Sequence, residues 1–250
     1  MISVCMATYN GEKYIKLQIE SILREISSED ELIIQDDDSK DSTLEIIRDF
    51  RDSRILLHIN EKNIGVILTF ENVLKKARGS IIFLADQDDE WLPGKVELVM
   101  NEFDKPRVMA VVTNAVIVDS EGKTVMPSYF AAIGSGPGVL KNYLHNSYLG
   151  CCLAFRKTVL LSGLPIPHEV RTHDGWLGLV ANMIGDVVFI NTPLLNYRRH
   201  GGNVSQMHRF PMIDVVKRRI YLMKNMIRVW PGVIAARRAL KKVRKGEPYE

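Results

Sequence analysis

Three carboxylates within four positions, Asp86, Asp88 and Asp89, are the residues of this sequence best placed to do chemistry. They directly follow the apolar run Ile81–Ala85, which predicts a buried strand, so they fall where that strand ends. Ionised carboxylates this close repel one another unless water, hydrogen-bond donors or a cation surround them. A solvated acidic turn is one interpretation. The other is an Asp-X-Asp site for Mg²⁺ or Mn²⁺, ions that take carboxylate oxygens and complete their shell with phosphate oxygens.

Two further polar segments follow predicted strands. Segment 8–10 closes an apolar run that begins at Ile2, and segment 36–38, three aspartates in succession, follows Leu32–Gln35. The apolar spacing predicts helices over 12–26, over 42–50 and over 68–77, and a further strand over 55–59. Strands that alternate with helices imply βαβ units and a parallel sheet. Because ligands bind such sheets beyond the carboxyl ends of the strands, we expect the three polar segments to meet along one edge.

The pattern is less regular after residue 93. We expect a helix over Pro93–Phe103, a hairpin turn at Glu121-Gly122 and a mobile loop over Ser128–Gly138, which is rich in Gly, Ser and Pro. Further strands are predicted over 108–113, 115–118, 187–190 and 194–197, and near 152–155. A late apolar helix is expected to start at Gly175 or Trp176, and Asp174 is suited to be its N-cap.

The polar segments belong to a longer series of motifs: SVCMATYNG, LIIQDDDSKDST, NIGV, FLADQDDEWLPGKVE, GCCLAF, HDGW and YRRHGGN. With these motifs in this order, the chain resembles a family 2 glycosyltransferase with the GT-A fold, from Ile2 to about Ser205. The DQDD-W and YR-HG-N forms resemble bacterial rhamnosyltransferases and other polysaccharide glycosyltransferases. The resemblance implies an α/β fold in which helices flank a mostly parallel, Rossmann-like sheet.

The resemblance assigns the donor nucleotide to two segments. Thr8, Tyr9 and Asn10 match the loop that packs on the nucleotide, and Asp37 matches the acid that accepts a hydrogen bond from the pyrimidine N–H. Uridine and thymidine share this N–H, so the expected donor is a UDP- or dTDP-sugar. The family commonly has glycine where this chain has Asp38. If the position needs a positive φ, aspartate tolerates it better than most residues.

The resemblance also implies a metal site and a base. Asp86 and Asp88 match the Asp-X-Asp signature, with Asp88 the firmer ligand of Mn²⁺ or Mg²⁺ and Asp86 nearer the ribose. Asp174 matches the general base. His200 lies in a late basic loop, where it is either a further contact to the metal or diphosphate or a surface histidine beside two arginines.

The implied reaction is an inverting sugar transfer to a saccharide acceptor in bacterial capsule or O-antigen synthesis. A carboxylate base takes the proton of the acceptor hydroxyl, and the metal, as a Lewis acid, stabilises the charge that develops on the leaving diphosphate. Two alternatives stay open. A sugar nucleotidyltransferase should carry a Gly-rich, basic phosphate loop after the first strand, and ATYNGEKY is not such a loop. A sugar-binding module would keep the fold without turnover.

Charge divides the chain unevenly. We expect one domain over 1–212, with a nucleotide-binding half to about residue 105 and an acceptor half from about 106, and then a basic amphipathic helical tail over 213–250. The net charge is +3, yet residues 215–250 hold 11 Lys and Arg against two Glu, and the 214 residues before them hold 22 against 28. Segment 215–245 favours either peripheral contact with an anionic membrane, which suits a lipid-linked acceptor, or a helix packed on the body or on a second subunit. Pro231-Gly232 is expected to divide the tail into two helices.

Composition narrows the class of protein. A content of 46% hydrophobic and 25% charged residues is typical of a soluble globular chain. No apolar run approaches the roughly 20 residues that a membrane span needs, and no basic leader precedes the first strand, so we expect a cytoplasmic enzyme, held at the inner face of the plasma membrane if the tail binds there. The three cysteines, two of them adjacent, form neither a disulfide framework nor a zinc pattern. Nucleic acid is not an expected partner because the body is acidic.

Overall fold

The first half of the chain alternates strands and helices. The computed structural model describes residues 1–170, 172–201 and 212–244. Its first elements are β1 (Ile2–Thr8), α1 (Ile15–Glu25), β2 (Glu31–Asp36), α2 (Thr43–Asp49), β3 (Ile55–Ile59), α3 (Val66–Lys76) and β4 (Ile81–Asp86). The βαβ pattern expected from the sequence is therefore confirmed.

The second half mixes short helices with two long strands. Its elements are β5 (Glu90–Trp91), α4 (Lys95–Phe103), β6 (Val108–Val118), β7 (Thr124–Met126), α5 (Tyr129–Ile133), α6 (Val139–Leu144), β8 (Leu153–Arg156), α7 (Leu160–Gly163), α8 (His173–Ile184), β9 (Asp186–Arg198) and α9 (Met212–Arg244). α4 begins two residues after Pro93, the predicted start, because Gly94 adopts a left-handed conformation with φ of 83°. A turn at Gly122, with φ of 86°, joins β6 to β7 as predicted.

All described strands form one curved sheet, in the order β3-β2-β1-β4-β8-β6-β9-β5, and β7 pairs with β6 at the side. The first four strands are parallel. β8 runs antiparallel to both β4 and β6, and β9 returns parallel to β6. Because one sheet passes through both predicted halves, the division near residue 105 stays a prediction.

The core lies on both sides of the central strands. Residues 81–85 of β4 are at most 2% exposed, which explains their uninterrupted apolar sequence. α3 packs on β1 and β2, while α8 packs on β6 and β9. The rigid layers that result fix where each strand ends.

Two pairs of predicted strands are each a single strand. The sequence suggested breaks within 108–118 and 187–197, but β6 and β9 run continuously, with irregular register near Asn114. The Asn114 amide donates to Asn191 O and to Ser128 Oγ, both at 2.9 Å, and its Oδ1 accepts from Ala115 N. The buried polar residue is thus satisfied inside the sheet, so the strand continues past it.

The expected mobile loop over Ser128–Gly138 contains a helix, α5, so that prediction was wrong. The Ser128 hydroxyl caps the helix by accepting from Ala131 N at 3.2 Å. Gly134, with φ of 64°, ends it. The serine and glycine that suggested a loop are the two ends of a short helix.

α9 is continuous through Pro231, so the predicted division of the tail was also wrong. Proline removes one helical hydrogen bond, but contacts with the body hold the part of the helix that follows it. A Cβ on Gly232 would lie 2.7 Å from Ser162 Oγ, Val233 is fully buried, and Arg237 Nε donates to Met183 O at 2.6 Å. Among the residues described, none of the helices has the length and apolar content needed to cross a bilayer.

A buried glutamate fixes the amino ends of the central strands. Glu31 is 2% exposed and accepts from Ser3 Oγ at 2.5 Å, from Arg78 N at 2.8 Å and from Arg78 Nε at 2.8 Å. Burial raises the pKa of this carboxyl, but the hydrogen bonds from Ser3 and Arg78 outweigh it and hold the pKa below the ordinary 4.5. The folded protein therefore holds Glu31 as a carboxylate.

We expect Glu31→Gln to lower the free energy of unfolding at pH 7 by about 1–3 kcal/mol, because hydrogen bonds to a buried charge are weakened or lost. Since the folded pKa lies below the ordinary value, the carboxylate stabilises fully above pH 4.5, and its contribution is lost as the pH falls through the folded pKa. Urea denaturation at several pH values measures both effects. Exposed Glu29→Gln is the control, and equal stability of the two variants at pH 7 contradicts the assignment.

Candidate active site

The three polar segments meet at the carboxyl edge of the parallel strands, as the sequence predicted. Thr8 at the end of β1 pairs with Asp36 on β2, and Ala7 pairs with Asp86 on β4. The loops that follow these strands therefore leave the sheet side by side.

The loop after β1 is fixed by hydrogen bonds to neighbouring segments and exposes the ring of Tyr9. Thr8 is buried, and its Oγ1 donates to Asp36 Oδ2 at 2.7 Å. Asn10, in a left-handed conformation with φ of 48°, donates its N–H to Ser39 Oγ and accepts from Lys40 N. The Tyr9 side chain is 44% exposed. Of the three residues predicted to contact the nucleotide, Tyr9 thus offers a ring, while Thr8 and Asn10 support the loop.

Asp37 organises the neighbouring loop. Its Oδ1 accepts from Asn60 Nδ2 at 2.8 Å and from Ile64 N at 2.9 Å, and its Oδ2 accepts from Gly65 N at 2.8 Å. A carboxylate oxygen can accept two hydrogen bonds, so Oδ2 keeps capacity for one further donor. The sequence predicted the ligand-binding role of Asp37 but not this role in fixing residues 60–65.

Asp38 has φ of 66°, the left-handed conformation for which the family commonly uses glycine. Aspartate tolerates this conformation, as expected. Its carboxylate forms an ion pair with Lys40 Nζ at 2.6 Å at the surface. The departure from the family pattern therefore fits the backbone.

The Asp-X-Asp segment crowds carboxyl groups together. Burial and the charges of Asp88 and Asp174 together raise the pKa of Asp86 to about 8. Asp89 is fully buried; its Oδ1 accepts from Arg198 N at 2.9 Å, while its Oδ2 has no hydrogen-bond partner among the described residues. Such crowding is compatible with a bound divalent cation.

One buried cluster includes a sulfur. Ligand atoms of Asp86, Asp89 and Cys151 lie within 4.8 Å of one another. Burial raises the pKa of Cys151 well above its ordinary value, so this thiol stays protonated, and Mg²⁺ and Mn²⁺ prefer oxygen ligands. The oxygen pair Asp86 and Asp88 therefore fits such an ion better than the set that contains Cys151.

His200 lies in the site. Its Nε2 is 2.8 Å from Asp88 Oδ2, and its ring lies tilted against the Tyr14 ring, with the ring centres 5.1 Å apart. Arg198 holds this end of β9 in place, because its Nε donates to Asp88 O at 3.0 Å. The structure therefore brings His200 against the acidic loop, and its role at a metal or diphosphate stays a prediction. Beyond residue 201, the motif YRRHGGN lies outside the described residues.

A pocket of about 430 Å³ opens beside His200 and Asp88. It is lined by Asn10, Gly11, Lys13, Tyr14, Gln87, Asp88, Ser120, His200 and Gly201. The pocket thus joins the loop after β1, the Asp-X-Asp segment and the end of β9.

Asp174 lies in the first turn of α8, so its prediction as N-cap was wrong. The helix begins at His173 and is capped by Thr172, whose Oγ1 accepts from Gly175 N at 3.3 Å. Asp174 Oδ1 also accepts from Gly175 N, at 2.6 Å, and Oδ2 points toward Gly150, where an added Cβ would lie 3.4 Å away. Its charge contributes to the raised pKa of Asp86, so the two carboxyl groups lie near each other.

Lys95 was missed from the sequence. It is 1% exposed, its Nζ donates to Cys151 O at 2.9 Å and lies 4.8 Å from the centre of the Trp91 ring, and burial lowers its pKa. Its motif, WLPGKVE, predicted only the start of a helix. The structure shows that Lys95 is a buried cation near the Asp89 carboxyl.

Similar folds occur in nucleotide-sugar enzymes. The chain superposes with a TM-score of 0.73 on Staphylococcus aureus TarS residues 1–349 in complex with UDP-GlcNAc, at 18% identity over 97% of this chain and 72% of that one. It superposes at 0.61 on the mannosyltransferase PcManGT of Pyrobaculum calidifontis with GDP-Man and Mn²⁺, at 17% identity over 94% and 73%. At such identities the likeness establishes the fold, which is the GT-A fold of glycosyltransferases.

The family follows from the sequence. Residues 3–162 match the family described as glycosyl transferase family 2, and the chain belongs to it. It is 29% identical over 210 residues to the Escherichia coli β-1,3-glucosyltransferase WfgD, which acts on GlcNAc-diphosphoundecaprenol, covering 82% of this chain and 79% of that one. It is 26% identical over 97% of both chains to the putative teichuronic acid biosynthesis glycosyltransferase TuaG of Bacillus subtilis.

Proposed function

We propose that this enzyme transfers one sugar, with inversion, from a UDP- or dTDP-sugar to a saccharide acceptor in the synthesis of a bacterial surface polysaccharide. The observation that carries the proposal is the contact of His200 with Asp88, beside a pocket that both residues line. Asp86 lies near enough to Asp88 and Asp174 for their charges to raise its pKa. The relatives that act on diphospholipid-linked sugars or in teichuronic acid synthesis support this choice of pathway class.

The donor is held by the loops after β1 and β2. The exposed Tyr9 ring packs on the base, and Asp37 Oδ2 accepts the pyrimidine N–H beside the bond it receives from Gly65. Asp86 lies toward the ribose. The diphosphate occupies the pocket between Lys13 and His200. Shifts in melting temperature with UDP and dTDP, with and without Mn²⁺, identify the base, since a ligand at about 100-fold over its Kd stabilises by about 2.7 kcal/mol.

Asp88, Asp86 and His200 would hold Mn²⁺ or Mg²⁺. When bound, the ion supplies Lewis-acid stabilisation for the charge that develops on the leaving diphosphate. This chain contributes the carboxyl groups of Asp86 and Asp88 and a histidine 2.8 Å from an Asp88 oxygen. Arg198 helps to fix Asp88 relative to His200, because its Nε donates to the Asp88 carbonyl.

Asp174 serves the opposite end of the reaction. Its Oδ1 is engaged by Gly175 N, so Oδ2 takes the proton of the acceptor hydroxyl. The hydroxyl oxygen forms a bond to the anomeric carbon as the bond from that carbon to the diphosphate oxygen breaks. One in-line displacement inverts the anomeric centre, and the proton leaves with Asp174.

We expect Asp174→Asn to lower the rate of transfer by roughly 10²- to 10⁴-fold, the usual contribution of a general base. Binding of UDP or dTDP should stay unchanged, because Asp174 contacts the acceptor side. Exposed Asp49→Asn is the matched control. Transfer at the wild-type rate by Asp174→Asn removes this residue from the mechanism. Donor binding by wild-type protein with neither transfer nor donor hydrolysis would instead favour the sugar-binding module.

We expect His200→Ala to weaken Mn²⁺ binding in the presence of the nucleotide by roughly 10- to 100-fold, the usual effect of removing a residue that holds or orients a metal ligand. Calorimetric titration with Mn²⁺ measures this, and His168→Ala, at an exposed histidine on a different loop, is the control. An unchanged Mn²⁺ affinity rules out a role for His200 at the ion.

The acceptor is proposed to be lipid-linked because α9 presents an exposed apolar face. Six apolar residues, each 42–65% exposed, recur every three or four positions: Ile213, Val216, Ile220, Met223, Ile227 and Trp230. At about 1.5 Å per residue the stripe is roughly 26 Å long. Exposed Lys217, Arg218, Lys224 and Arg228 flank it.

Charge favours an anionic membrane over a second copy of the chain. Asp214 is the single acidic residue between 212 and 244, so two such helices would repel each other, whereas anionic lipid would attract both. α6 adds Leu140 and Leu144, 70% and 59% exposed, and contacts α9 through Arg219, whose Nη2 donates to Leu144 O at 2.7 Å.

We expect the protein to bind vesicles that contain phosphatidylglycerol, with salt weakening the binding, and not to bind pure phosphatidylcholine vesicles. Ile220→Asp together with Ile227→Asp should abolish flotation with the vesicles. Leu161→Asp, at a site 81% exposed on α7, is the matched control. No binding of wild-type protein to the anionic vesicles contradicts the membrane proposal.

A further inference from the structure

The middle residue of the Asp-X-Asp motif joins two loops of the site. The Gln87 side-chain amide accepts from Tyr9 N at 2.9 Å and donates to Tyr9 O at 3.0 Å. This exchange of two hydrogen bonds is the pattern of a hydrogen-bonded residue pair in an antiparallel sheet. Since Ala7 already pairs with Asp86, Gln87 extends the contact between β1 and β4 beyond the ends of both strands by means of a side chain.

Gly11 leaves the space that this contact needs. A Cβ on Gly11 would lie 2.3 Å from Gln87 Oε1 and 2.7 Å from Gln87 Cδ. Gly11 is not among the glycines with positive φ, so its backbone would accept alanine. The obstacle to a side chain at position 11 is therefore the Gln87 amide.

The same loop is already attached to the segment that follows β2. Asn10 N donates to Ser39 Oγ at 2.9 Å, and Gly11 N donates to Thr43 Oγ1 at 2.7 Å. The Gln87 amide thus completes a link among the loops after β1, β2 and β4. When a loop is ordered before the ligand binds, binding does not carry the entropy cost of ordering that loop.

We infer that Gln87 is a positioning residue, which sets the backbone of Tyr9 for the donor base, and that Gly11 serves this contact by leaving room for the amide. The inference rests on the proposed donor-binding role of Tyr9. Gln87 acts through Tyr9, so its effect falls on donor binding and not on the chemical step.

A double-mutant cycle tests the inference. Gln87→Ala and Gly11→Ala should each weaken binding of UDP or dTDP roughly tenfold in EDTA, where metal ligation plays no part. The combined variant should bind as Gln87→Ala does, because the added methyl then meets no amide. Losses that multiply in the combined variant overturn the link between the two positions.

Kinetics and a conservative variant complete the test. Gln87→Ala should raise the donor KM about tenfold and leave kcat within about threefold, which a general loss of structure would not do. Gln87→Met keeps the length of the side chain but not the amide and should behave as Gln87→Ala; a wild-type donor KM for Gln87→Met overturns the hydrogen-bond role. If wild-type protein binds neither nucleotide, the proposed function fails; if it binds and the losses multiply, this inference alone fails.

Discussion

The register of β1 between β2 and β4 is the constraint on which the site depends. It pairs Thr8 with Asp36 and Ala7 with Asp86, so the loops after three neighbouring parallel strands begin at the same edge of the sheet. The opposite ends of these strands are fixed as well. Gly79 approaches so closely that an added Cβ would lie 2.5 Å from Ser3 N, and its own N–H donates to Ser3 Oγ. A shift of β1 by one residue would break this contact and separate the polar loops at the other edge.

Bringing acidic loops together creates a charge problem that the protein resolves in two ways. Asp36 is fully buried and receives hydrogen bonds from Thr8 Oγ1, Ser39 Oγ and Ser39 N. Its charge is compensated within the protein. Asp86 receives far less, and burial together with neighbouring carboxylates raises its pKa to about 8. A cation bound beside Asp86 would stabilise its carboxylate form, which is the use that the proposed metal would have at this segment.

The sequence predicted what depends on local pattern. The alternation of strand and helix patterns predicted the parallel strands, and the predicted strand ends located the acidic loops. Contacts across the fold were harder to foresee. Pro231 in the sequence indicated a helix break. The packing of Gly232 on Ser162 could not be predicted from that pattern, because the two residues are far apart in the sequence. Likewise the sequence suited Asp174 to be an N-cap, but the structure shows that Thr172 fills that role. The contact between Gln87 and Tyr9 was not predicted because the two residues are 78 positions apart in the sequence.

α8 connects the two ends of the acceptor side. Its first turn carries Asp174, and its last turn binds α9, where Arg237 donates to Met183 O. The helix has 12 residues, which at about 1.5 Å each span roughly 18 Å. A helix of this length, buried along nearly all its residues, transmits position without bending. If α9 lies on a membrane, Asp174, the proposed base, is therefore held at a fixed distance from the lipid surface. A sugar attached to a lipid diphosphate projects from that surface by a fixed distance too, so the fold itself would select acceptors by length before any pocket selects them by shape.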